Sequence, residues 1–262
     1  ADLPVLSVTA PFKAGYGNSS DYTDGAAGTV TVANAADLYL YDNNTIHAVK
    51  VTGAQIKLWL ENAANRFNQI IPANAADQWL INDSKTGVQP GSSFPGYNFD
   101  VFTSPDISYE IDVTQARYNV NNPSQGGERI KNLYYKGQPI DPAQEFIVAT
   151  NNYRANSSAR FILGTGKTFD IVWAAPDANR EVVLNYVREQ KDVTRATHGG
   201  ARSWRFTPVT TAGKVLFKSG PGALAVAQAA GLGNIRVERA DDTGVNGGTG
   251  SYAIYGVDLS LP

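Results

Sequence analysis

The stretch Glu145-Phe-Ile-Val-Ala-Thr-Asn-Asn-Tyr-Arg-Ala155 constrains this chain most, because an apolar run passes without a break into polar and aromatic side chains. Phe146, Ile147, Val148 and Ala149 are a short, nearly continuous apolar run, which predicts a strand covered on both faces. Asn151, Asn152, Tyr153 and Arg154 follow at once. A rigid strand that ends in amide, phenol and guanidinium groups can hold a recognition loop still, the amides supplying paired donors and acceptors and the tyrosine a flat face for a planar ligand. The plainer alternative is that Asn-Asn is turn chemistry and Tyr153 a half-buried rim aromatic, and residue types alone favour it.

Around that stretch the pattern predicts strands at 3–10, 29–41, 46–51, 108–113, 129–135, 145–150, 203–209, 234–240 and 251–259. The clearest helix is predicted over 52–67: Thr52 can cap it, Gln55 can return the bond, and Ile56, Leu60, Ala63, Ala64 and Phe67 share one apolar face. A second helix is expected from Pro176 with Val183, Tyr186 and Val187 buried, and a third near 223–230, stopping at Gly231. Lys136-Gly137 reads as a hairpin turn, and 72–98, rich in Gly and Pro, as a long connection lining a site or moving. Interspersed strands and helices without strict alternation argue for an α+β fold with mixed or antiparallel sheets, and no linker splits 1–262 into two domains.

With 262 residues and 42% hydrophobic content, the chain is long enough for a full core. The 22 basic and 24 acidic residues nearly balance, which gives no electrostatic footprint for a nucleic acid polymer or an anionic membrane. No apolar run is long enough to span a bilayer, and Ala1-Asp-Leu-Pro lacks the basic and apolar regions of a signal peptide. There is no methionine, so the expectation is a processed or excised piece, or methionines carried as a modified residue. Zero cysteines removes disulfides, zinc-thiolate sites and thiol nucleophiles.

Catalytic chemistry is thin. His47 and His198 are far apart and neither has metal-ligand spacing; the first reads as a strand residue and the second as exposed loop. Gly15-Tyr-Gly17 lacks the Gly-Lys-Ser/Thr of a phosphate loop, there is no Gly-x-Ser-x-Gly elbow, and Asp241-Asp242 reads as solvated loop charge. The residues therefore predict no catalytic and no metal-binding set on this chain, and leave binding as the function to seek.

Ala149-Thr-Asn-Asn-Tyr-Arg-Ala155 resembles the corresponding segment in the C-terminal domain of bacterial periplasmic 2',3'-cyclic-nucleotide 2'-phosphodiesterase/3'-nucleotidases, the bifunctional branch of the 5'-nucleotidase family. Collinear segments agree: Leu3-Pro-Val-Leu-Ser7, Ala10-Pro-Phe-Lys-Ala-Gly15, Asn34-Ala-Ala-Asp-Leu-Tyr-Leu-Tyr41, Tyr97-Asn-Phe-Asp-Val101, Tyr109-Glu-Ile-Asp-Val-Thr-Gln115, Arg129-Ile-Lys-Asn-Leu133, Pro176-Asp-Ala-Asn-Arg180 and Ala253-Ile-Tyr-Gly-Val-Asp-Leu-Ser260. The resemblance implies a substrate-recognition domain in which two aromatic rings sandwich a nucleobase. Tyr153 matches one ring of that clamp and Tyr41 the other, with Phe102 and Tyr97 as reserves from the 5'-nucleotidase branch. It further implies that Asn151, Asn152 and Arg154 contact ribose or hold the loop, and that Lys13 stands near the position where the 5'-nucleotidase branch has a substrate-binding arginine. It also implies a periplasmic parent whose separate N-terminal metallophosphatase domain carries two divalent metal ions, with no cofactor on this chain. Asn156-Ser-Ser158 and Asp42-Asn43 depart from the family pattern, so a module that keeps the fold but has lost nucleotide affinity stays open as the alternative.

Overall fold

The predicted strand at 145–150 forms as Glu145–Asn151 (β8), in the middle of a five-stranded sheet. In the computed structural model, which describes residues 2–11, 13, 19, 22–23, 27–82, 99–122, 126–245 and 247–261, this sheet runs in the order Val101–Phe102 (β4), Val5–Thr9 (β1), β8, Thr45–Thr52 (β2) and Asp170–Ala178 (β9). β8 pairs parallel with β1 and antiparallel with β2, and Val148 stands opposite both Leu6 and Val49. Its apolar run is explained by that position: Phe146 and Val148 are fully buried on one face, while Ile147 and Ala149 are half-buried on the other.

The second sheet has the order Trp204–Phe206 (β10), Ile107–Ile111 (β5), Ile130–Tyr135 (β6) and Gln138–Pro139 (β7). The third has Ile235–Arg239 (β12), Ala253–Val257 (β13), Val215–Ser219 (β11) and Gln78–Trp79 (β3). Parallel pairs (β1 with β8, β10 with β5, β11 with β3) sit among antiparallel ones, so the fold is α+β with mixed sheets. The β6–β7 turn has Lys136 and Gly137 both at positive φ, the conformation a tight hairpin needs.

Seven helices complete the described residues: Val32–Leu38 (α1), Gly53–Ala64 (α2), Asn152–Ser157 (α3), Ala159–Ile162 (α4), Asn179–Gln190 (α5), Arg195–His198 (α6) and Ala223–Ala229 (α7). α2 is the one its spacing predicts. Thr52 accepts from the Gln55 N–H while the Gln55 side chain accepts from the Thr52 N–H. Ile56, Leu60, Ala63 and Ala64 are buried together with Trp59. Gly53 is required at its start, because a Cβ there would lie 2.2 Å from the Asp141 carbonyl oxygen. Phe67 is buried beyond the helix end, bridged to Ile81.

The end of α2 is finished by a buried charge. The Arg129 guanidinium is fully enclosed and donates from Nη1 to the carbonyls of Ala64 and Phe67, both at 2.8 Å, and from Nε to Gln115 at 3.0 Å. Burial, then the nearby Arg117 charge, lowers its pKa to about 10. Glu61 on α2 accepts from the N–H groups of Arg129 and Ile130, and burial pushes its carboxyl up.

Three local expectations change. The 29–41 segment forms α1 rather than a strand, because Thr31 and Asn34 close a reciprocal cap at its first turn. Pro176 lies in edge strand β9, at a register shift opposite Thr45 and His47 where no ladder N–H is needed, and the helix starts only at Asn179. Val183 and Val187 on that helix are half-buried, but Tyr186 is exposed. β11 was not anticipated. No helix among the described residues is long and apolar enough to cross a membrane.

Candidate functional site

Asn-Asn-Tyr-Arg is not a loop but the end of β8 and the first turn of α3. Asn151 is the N-cap: its side-chain oxygen accepts from the Arg154 N–H at 2.8 Å, relieving an orphan donor. Its amide nitrogen donates to the Tyr39 hydroxyl at 3.1 Å. That hydroxyl also accepts from the Asn179 side chain at 2.7 Å and donates to Asn44 Oδ1 at 3.1 Å, which uses its one proton and both lone pairs.

Asn152 extends the same network. Its Oδ1 accepts from Asn44 Nδ2 at 3.1 Å, from the Thr45 N–H at 3.4 Å and from the Tyr153 N–H at 2.9 Å. Arg180 at the start of α5 donates to the carbonyls of Tyr39 and Leu40. The 39–45 segment is therefore fastened to the N-terminus of α3 on one side and to that of α5 on the other.

Two rings stand out from this polar floor. Tyr153, on α3, is 57% exposed and Tyr41, on the fastened segment, is 41% exposed. Large aromatics left this open on rigid supports offer apolar faces to a planar ligand. Next to them a cavity of about 340 Å³ lies between the sheet and α5, lined by Tyr39, Asn151, Asn179, Val182 and Val183. Thr150 Oγ1 and Asn179 Oδ1, whose residues also line it, are buried with no hydrogen-bond partner among the described residues.

The other expected contacts are placed differently. Arg154 is buried and lines the same cavity, with Nε and Nη2 both reaching Asp100 Oδ1, at 2.7 and 2.6 Å. Phe102 has no exposed surface and meets Trp59 edge to face at 5.8 Å, which removes it as a reserve clamp ring. Lys13 is ion-paired with Asp37 of α1. Tyr97 lies outside the described residues. Tyr39, Asn44, Asn179 and Asp100, which organise the site, were not singled out, since each acts through partners remote in sequence.

Neither histidine lines this cavity. His47 sits in β2 near Thr45 Oγ1, and His198 closes α6 with bonds to Thr197 and Gln190, half-buried rather than loose in a loop. Asp242 is buried, not solvated, and pairs with Lys218 at 2.9 Å. Among the described residues no group of three or more His, Asp or Glu side chains is placed to hold a metal ion.

Residues 8–164 match the sequence model of the family described as 5'-nucleotidase, C-terminal domain. The chain belongs to that family. As a member of the 5'-nucleotidase C-terminal-domain family, it is 38% identical to the 2',3'-cyclic-nucleotide 2'-phosphodiesterase/3'-nucleotidase of Haemophilus influenzae, over 99% of this chain and 38% of that protein. It is 40% identical to the protein of the same name from Salmonella typhimurium, again over 99% of this chain and 38% of the relative. It is 43% identical to the trifunctional nucleotide phosphoesterase protein YfkN of Bacillus subtilis, over 80% of this chain but 13% of that protein. A solved Staphylococcus aureus protein assigned as a 5'-nucleotidase superposes with a TM-score of 0.50 at 19% identity, over 80% of this chain and 33% of the other, a likeness of fold. The chain thus spans well under half the length of each relative it matches.

Proposed function

We propose that this chain is the base- and ribose-recognition domain of a periplasmic, metal-dependent 2',3'-cyclic-nucleotide 2'-phosphodiesterase/3'-nucleotidase. The observation that carries this reading is the pair of exposed tyrosines, Tyr153 and Tyr41, borne on segments that share one hydrogen-bond network. In the proposed complex the base stacks between the two rings, and the fixed backbone of α3 and of residues 39–45 sets the gap. Stacking on an aromatic contributes about 1–3 kcal/mol per base, enough for weak binding by a preformed clamp. The phosphate then points to a metallophosphatase domain supplied by the rest of the parent, which reaches it by rotation of one domain on the other.

The reading is tested by calorimetric titration of this chain with adenosine and 3'-AMP, alongside assays on 2',3'-cyclic AMP with Mn²⁺, Co²⁺ or Mg²⁺. The expected result is weak, saturable binding in which the nucleoside competes well with the nucleotide, and no turnover. Metal-dependent turnover that copurifies with the folded chain would contradict the division of labour. Absence of any nucleoside binding would favour a module that has kept the fold and lost the affinity.

A further inference from the structure

Tyr153 is carried by α3, a helix of six residues, too short to hold its own shape or position in water. What fixes it is buried, whereas the ring is exposed. Arg154, the next residue, enters the interior and donates from Nε to Asp100 Oδ1 at 2.7 Å, with Nη2 ion-paired to the same oxygen at 2.6 Å. The second carboxylate oxygen, Asp100 Oδ2, accepts from the Trp59 indole N–H at 2.7 Å. Trp59 is itself packed into the core: it is fully buried on α2, stacked on Phe169 with ring centroids 4.8 Å apart and edge-on to Phe102. Restraint therefore runs from the packed core through Trp59, Asp100 and Arg154 to the first turn of α3.

A buried ion pair is a poor device for stability alone, because desolvation of both charges offsets their attraction and a well-packed apolar pair does as well. Directional bonds from a planar guanidinium are, in contrast, a good device for fixing an orientation. Resting on the nucleotide-recognition reading above, we propose that Asp100 and Trp59 are positioning residues for the bound base, which through Arg154 hold the Tyr153 ring at its stacking place. Arg154 in this account touches no ligand.

The test is a double-mutant cycle on adenosine affinity. Asp100→Asn should weaken binding about ten-fold in the native background and less than about two-fold when Tyr153→Ala is already present, since its effect passes through that ring. An equal loss in both backgrounds, or none in either, overturns the proposal. Should Asp100→Asn fail to fold, Trp59→Phe removes the indole N–H together with the five-membered half of the ring, and should show the same cycle with a smaller effect of about three-fold. A second readout needs no nucleotide: amide hydrogen exchange across α3 should speed up in Asp100→Asn by about ten-fold relative to β2. Unchanged exchange in α3 overturns the positioning role whatever the nucleoside does, whereas faster exchange in Asp100→Asn combined with a wild-type chain that binds no nucleoside faults the recognition reading instead.

Discussion

Two buried ion pairs stand beside different sheets of this molecule, and their wiring differs. Among the described residues the donors on Asp100 are the side chains of Trp59 on α2 and Arg154 on α3, so the Asp100–Arg154 pair joins separate elements. The Asp242–Lys218 pair turns inward: Asp242 also accepts from the N–H groups of Gly250 and Tyr252, and the Lys218 ammonium also donates to the Val245 carbonyl at 3.0 Å. An ammonium, a compact charge with three donors, gathers a loop around itself; a guanidinium fork aims one rigid body at another. Equal burial thus marks loop closure in one place and placement of a ligand-facing ring in the other.

The comparison breaks first on stability against binding. Lys218→Met leaves the Asp242 carboxylate buried without its partner, and Arg154→Met does the same to Asp100, each at a cost of about 3–5 kcal/mol. Urea unfolding should show comparable losses for both, yet only Arg154→Met should weaken adenosine binding. If Lys218→Met weakens it equally, the two pairs do not divide the work as described.

A second effect, smaller, sharpens the comparison by pH. Burial pushes the Asp242 carboxyl up, but the Lys218 ammonium and the N–H groups of Tyr252 and Gly250 outweigh it and hold it below the usual carboxylate range. Its folded value lies below its unfolded one, so its contribution is present above the ordinary aspartate range and is lost as pH falls through the folded value. Asp242→Asn should therefore flatten the acid limb of the stability curve, measured by urea midpoints from neutral pH downward; an unchanged limb contradicts the pairing.

Smallest of all should be Tyr153→Phe, which keeps the ring face and removes the hydroxyl: adenosine affinity should change by less than about two-fold, against about ten-fold or more for Tyr153→Ala. A large loss in Tyr153→Phe would mean that the hydroxyl, not the ring, makes the contact.

Legibility in the sequence followed the range of the forces. α2 could be read in advance because its cap, Thr52 with Gln55, and its apolar face, from Ile56 to Ala64, are local patterns of a few residues. α1 was misread because its cap uses Asn34 where Glu or Gln is the usual signal, behind the β-branched run Val30-Thr31-Val32. The role of Tyr39 was hidden for a different reason: besides nearby Asn44, its hydroxyl gathers Asn151 and Asn179, which lie 112 and 140 residues away and which the fold alone brings to it. Asp242 looked solvated because the lysine that buries it lies 24 residues away. At the site, the aromatic faces were legible by residue type, while the buried groups that aim them were not.

The most direct test of the account is a crystal structure of this chain with adenosine bound. The account predicts the adenine ring stacked between Tyr153 and Tyr41, with Arg154 still bonded to Asp100 beneath. Adenine bound instead in the cavity under α5, with both tyrosine rings unoccupied, would contradict it.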